Sequence, residues 1–119
     1  MIYNVLYKNL EPMPQVEKQL ERKIKKVEDL LPTFADDAVK LDVTFEKHAR
    51  REEYYTSLTL YLPRKKLRAK EKGFDSFNAM NAAFDEMLRE VKKFKELLKR
   101  EHTYKSRRAE KKPRSARQG

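Results

Sequence analysis

The chain has no cysteine and no tryptophan, only two glycines (Gly73 and Gly119) and only two histidines (His48 and His102). Without cysteine, disulfides, thiolate zinc sites and thiol nucleophiles are excluded. Two glycines are too few for the phosphate-cradling loops and dinucleotide fingerprints, which need several positions of close backbone approach. Two histidines do not make a histidine-based metal cluster, and no serine or carboxylate lies in a recognisable catalytic motif near either. Solvated histidines are expected, with no enzyme activity, no metal, no cofactor and no small-molecule substrate. No apolar run approaches the ~20 residues of a membrane span. The N-terminus lacks the basic-then-apolar pattern of an export signal, so the expected location is the cytoplasm.

What the chain has in abundance is charge. Lysine and arginine total 29 against 19 acids in 119 residues, a net +10. The length suits one domain with a modest core. A positive excess of this size points first to nucleic acid and only then to an anionic membrane.

The hydrophobic pattern divides the chain into six elements. Ile2–Tyr7 is aromatic and β-branched, a first strand. Pro14 stands where a helix begins, and Val16, Leu20, Ile24, Val27 and Leu31 mark one apolar stripe up to Pro32. Val39, Leu41, Val43 and Phe45 alternate with polar residues as a second strand. Tyr54–Leu62 is the strongest strand, with Leu58, Leu60 and Leu62 on one face and Tyr55, Ser57, Thr59 and Tyr61 on the other. After Pro63, Leu67 and Ala69 alternate with Arg68, Lys70 and Lys72 in a basic fourth strand, a composition that also guards an edge. The longest element is the helix from Asp75 to Arg100. Asp75 can cap its start, and Phe77, Met80, Phe84, Met87, Leu88, Val91 and Leu98 share its apolar face.

This order, β-α-β-β-β-α, predicts an α+β domain over residues 1–101. It has a four-stranded sheet, two helices on one face, and an open polar second face. Residues 102–119 hold seven cations against Glu110 alone. Such a segment buries too little to order itself, and a disordered basic tail is expected, with Lys105, Arg107, Arg108, Lys111 and Lys112 as RNA contacts.

The first helix sorts its charges. At about 100° per residue, Glu17, Glu21 and Glu28 fall on one flank, while Lys18, Arg22, Lys25 and Lys26 spread over the back and opposite flank, with Lys23 at the edge of the apolar stripe. Segregation by sign suits a binding face. Glu-to-Lys pairs four apart, such as Glu21 with Lys25, suit an ordinary solvated one.

Several segments resemble the ribosome hibernation-promoting factors, also called ribosome-associated inhibitor or sigma-54 modulation proteins. They are Lys8-Asn9-Leu10-Glu11, Lys23-Ile24-Lys25-Lys26-Val27-Glu28, Glu46-Lys47-His48, Asp75-Ser76-Phe77-Asn78-Ala79-Met80-Asn81 and Lys93-Phe94-Lys95. The resemblance covers about residues 2 to 100. Two positions depart from the family pattern: Glu86 stands where lysine is common and Glu90 where glutamine is.

The resemblance implies a stress or stationary-phase factor that occupies the decoding region of the small ribosomal subunit. There it would block messenger and transfer RNA without any chemistry. It implies a short form, monomeric when free, with the small subunit and its rRNA as partners. Lys23, Lys26, Arg89, Lys93 and Lys95 are the rRNA-phosphate contacts carried over by motif. Lys8, Lys92, Lys99 and Arg100 complete the candidate surface. The alternative is a general double-stranded-RNA-binding module, which would span successive minor grooves of any duplex.

Overall fold

The computed structural model describes residues 1–32 and 34–111, with backbone alone for Asp36 and for 101–111. The strands are β1 (Ile2–Lys8), β2 (Lys40–Lys47), β3 (Tyr54–Leu62) and β4 (Lys65–Gly73). Helix α1 covers Pro14–Asp29 and α2 covers Ser76–Lys111, and a short 3-10 turn, Asp36–Ala38, leads into β2. The sheet order is β1-β2-β3-β4. β1 runs parallel to β2, and the other two pairings are antiparallel. This is the predicted α+β architecture.

Alternation sets the two layers. Leu41, Val43 and Phe45 of β2, Leu58, Leu60 and Leu62 of β3, and Leu67 and Ala69 of β4 are buried under the helices. The helices return Val16, Leu20, Ile24 and Val27 from α1, and Met80, Phe84, Met87 and Val91 from α2. Each fully buried side chain of this size is worth roughly 1.5–3 kcal/mol. One sealed polar atom interrupts the layer among the described residues: the Thr56 hydroxyl has no hydrogen-bond partner.

Gly73 ends β4 because the chain must turn there against α2. A Cβ at this position would lie 2.7 Å from the Ala79 backbone nitrogen. Asp75 then caps α2 as its sequence position predicts, its Oδ1 accepting from the Asn78 amide at 2.8 Å. Ala79 and Ala83 are fully buried in α2, whereas Phe77 and Leu98, expected on the apolar face, are 40% and 42% exposed. The helix sits close to the sheet through its alanines and leaves its two ends proud.

Both helices run antiparallel to β2 and therefore parallel to each other. Helix α2 continues to Lys111, so its backbone runs on into the basic segment. Residues 102–111 include no glycine or proline and carry four lysines and arginines beside a single glutamate, so nothing in them breaks a helix. Residues 112–119 lie outside the described residues.

Candidate nucleic-acid interface

One side-chain hydrogen bond fixes how the two helices face each other. Gln19 Nε2 donates to Asn81 Oδ1 at 3.3 Å. Gln19 is the sixth residue of α1 and Asn81 the sixth of α2, so the helices start level. On α1, Lys23 and Lys26 follow Gln19 at four and seven residues, along the same flank. On α2, Leu88, Lys92, Lys95 and Lys99 follow Asn81 at seven, eleven, fourteen and eighteen. The bond thus sets Lys23 and Lys26 across a groove from the lysine row of α2. Asp85, four residues after Asn81, is the acid on that row.

The acidic flank of α1 points the other way. Glu28 Oε2 lies 3.0 Å from the N-terminal ammonium. Glu17 is close enough to Tyr7 to add to burial, the larger cause, in raising that phenol above its ordinary value. Charge segregation along α1 thus becomes segregation in space. The acids overhang the β1 edge, and the lysines line the interhelical groove.

The predicted contacts are not equally available. Lys8, Lys26, Lys92, Lys95 and Arg100 are exposed and have no ion pair among the described residues. Lys99 is exposed on the same row. Lys23 is only 9% exposed. At the edge of the apolar stripe its aliphatic stem is covered and only its tip can reach outward.

Two other predicted contacts are engaged. Arg89 Nη1 donates to Glu86 Oε1 at 2.8 Å, and Lys93 Nζ lies 3.6 Å from Glu90 Oε2. The partners are the two positions that depart from the family pattern. Both pairs are well exposed on the cation side, a setting in which ion pairs contribute about 0–1 kcal/mol. A phosphate can displace such a carboxylate. On α1, Lys25 lies 4.0 Å from Asp29 instead of pairing with Glu21. Of the predicted tail contacts, Lys105, Arg107, Arg108 and Lys111 fall on the last turns of the α2 backbone, and Lys112 lies outside the described residues.

A recess that sequence reasoning missed opens where the helices begin. It encloses about 640 Å³, with Leu10, Met13, Lys47, Tyr54, Asp75 and Phe77 among its lining residues. Asn9, at φ 61°, shapes its rim and donates from Nδ2 to the Lys47 carbonyl at 3.3 Å. Two of its ionisable groups, Asp75 and Lys47, are already committed. Asp75 caps α2, and Lys47 Nζ contacts the carbonyls of His48 and Arg51 at 3.4 and 3.5 Å. His48 accepts the Arg50 amide at Nδ1, 3.1 Å, and so braces the turn between β2 and β3. Among the described residues no cluster could hold a metal ion, and no helix is long and apolar enough to cross a membrane.

The pattern of residues 3–99 matches the family described as sigma 54 modulation protein / S30EA ribosomal protein. No curated protein matches the chain in sequence. Among solved structures it is similar to the N-terminal domain of Protein Y from Thermus thermophilus. There the identity is 22%, the TM-score 0.63, and the match covers 79% of this chain and 99% of that one. It is also similar to a ribosomal subunit interface protein from Coxiella burnetii, with 12% identity, TM-score 0.66, and coverage of 80% and 98%. At these identities the structural likeness speaks to the fold.

Proposed function

The chain belongs to the sigma-54 modulation and S30EA ribosomal protein family, and from that premise we propose that it silences translation by filling the decoding region of the small subunit. The observation that supports this most is the interhelical groove. Lys26 from α1 and Lys92, Lys95 and Lys99 from α2 form one cationic strip on a rigid two-layer support, held in register by Gln19 and Asn81. Folded RNA is read largely through shape and backbone, and a fixed strip of ammonium groups can match a fixed path of phosphates. No bond need be made or broken. Occupancy alone excludes messenger and transfer RNA.

Most of the affinity then comes from phosphate contacts and falls steeply with salt. The test is co-sedimentation of the full chain with purified small subunits over a salt series, with transfer RNA as competitor. Binding that transfer RNA displaces and that salt releases is the expected result. Equal affinity for a naked RNA duplex and for the subunit would replace this function with that of a general duplex-binding module. Removing residues 102–119 is expected to weaken subunit binding and leave the domain folded, because the sheet and both helix interfaces lie upstream.

A further inference from the structure

The face of the sheet turned away from the helices carries its own chemistry. Its rows follow from the strand register: Ile2–Lys40–Tyr61–Lys66, Asn4–Asp42–Thr59–Arg68, Leu6–Thr44–Ser57–Lys70 and Lys8–Glu46–Tyr55–Lys72. The two acids, Asp42 and Glu46, both belong to β2. The strand residues of the half formed by β3 and β4 present four cations, two tyrosines, a serine and a threonine on this face; Glu53, just before β3, accepts from the Tyr55 hydroxyl at 3.4 Å at its end. Lys72 is drawn towards Glu53 at 3.7 Å, which leaves Lys66, Arg68 and Lys70 without an ion pair among the described residues.

The tyrosine rings are accessible to charge on their faces. Lys66 Nζ lies 5.1 Å and Lys40 Nζ 5.6 Å from the Tyr61 centroid, and Lys70 Nζ lies 5.3 Å from that of Tyr55. We propose that the β3–β4 half of this face is a second RNA site, taking a single-stranded segment whose bases stack on Tyr61 and Tyr55 while Lys66, Arg68 and Lys70 hold its phosphates. This goes beyond the subunit-occupying function, which uses the opposite side of the molecule.

Energetics favour the exchange. An exposed cation–π contact is worth about 0.5–1 kcal/mol, whereas stacking a base on an aromatic ring is worth about 1–3 kcal/mol. A lysine displaced by a base moves no further than the adjoining phosphate. Tyr55 and Tyr61 are six residues apart on one strand, about 20 Å. They therefore grip two separated bases, and the hydroxyls of Ser57 and Thr59 lie between them. Edge protection accounts for the lysines of β4 but not for rings aligned beneath them. An acidic protein segment would use the cations and ignore the ring faces.

The experiment is fluorescence anisotropy of the full chain with fluorescein-labelled octauridine over a salt series, with folding checked by amide NMR spectra. The combined variant Tyr55→Leu/Tyr61→Leu is expected to weaken binding by on the order of tenfold or more with an unchanged salt slope. The combined variant Lys66→Gln/Arg68→Gln/Lys70→Gln should flatten the slope by about 2, since each phosphate on a single strand contributes roughly 0.7. Binding should survive Lys26→Glu/Lys92→Glu/Lys95→Glu on the helix side.

Tyrosine variants that fold and bind as well as the parent would overturn the proposal. So would octaglutamate that competes as strongly as octauridine, or binding abolished by the helix-side variant alone. Failure of the parent to sediment with small subunits sinks the occupancy function and leaves this assay intact, so the two can fail separately.

Discussion

Gln19 on α1 and Asn81 on α2 meet at 3.3 Å although 62 residues separate them, and their bond aligns the two cationic flanks. A part-buried amide pair of this kind contributes about 0.5–1.5 kcal/mol net. In a double-mutant cycle with Gln19→Ala and Asn81→Ala, urea denaturation should return a coupling of about 1 kcal/mol. The double variant should also bind small subunits more weakly than its lost stability explains. Additive single variants would mean that packing alone sets the groove.

Lys23 separates charge from packing. Lys23→Glu forces a carboxylate into a site that is 9% exposed, and should destabilise the fold by on the order of 1–3 kcal/mol. Lys23→Met keeps the stem and removes the charge, so it should leave the melting temperature nearly unchanged. If the tip of Lys23 touches a phosphate, Lys23→Met lowers the salt slope of subunit binding by about one. A full-strength slope would confine Lys23 to a packing role.

Glu86 and Glu90 hold Arg89 and Lys93 in ion pairs, and under the proposed function they would compete with RNA for these cations. Glu86→Gln/Glu90→Gln should bind small subunits more tightly, by several-fold at low salt, with stability shifted by less than about 1 kcal/mol. Sedimentation at matched salt checks the first and thermal melts the second. Unchanged affinity would place Arg89 and Lys93 outside the contact.

Thr56 is fully buried with an unpartnered hydroxyl. Thr56→Val keeps the shape, removes a polar group that costs about 1–3 kcal/mol when unsatisfied, and should raise stability. A lower denaturation midpoint would show that the hydroxyl has found a partner.

Gly73→Ala tests the junction of sheet and helix. The added methyl meets the backbone at Ala79, which cannot swing aside like a side chain. A loss of about 1–3 kcal/mol is expected, typical of overpacking. A neutral result would mean that α2 is free to shift off the sheet.

The layout was legible in the sequence wherever one physical signal dominated. Tyr54–Leu62 alternates so strictly that the predicted and observed strands coincide, and Pro14 and Asp75 mark the starts of the two helices by backbone chemistry alone. Lys23 shows where that stops. Periodicity places it at the edge of the stripe, but only the packed fold decides that the edge is covered. The pairs at Glu86 and Glu90 were visible as departures from a pattern, not as partners of particular cations. Gln19 and Asn81 carry no local signal at all, because their importance lies in the contact between two distant segments. The recess beside Met13 and Phe77 was equally hidden, being assembled from four separate parts of the chain.

The shared direction of α1 and α2 gives the molecule distinguishable ends. At about 1.5 Å per residue, α2 is roughly 54 Å long, well beyond the roughly 30 Å of the longest strands beneath it. One end carries two helix starts side by side, and a single rod projects from the other. Turning the body end for end in its own plane would carry the rod to the wrong mouth of a slot and exchange the glutamate-bearing border for the lysine-bearing one. A cleft that accepts this shape therefore admits it in one sense only, much as a key is cut for one direction of entry.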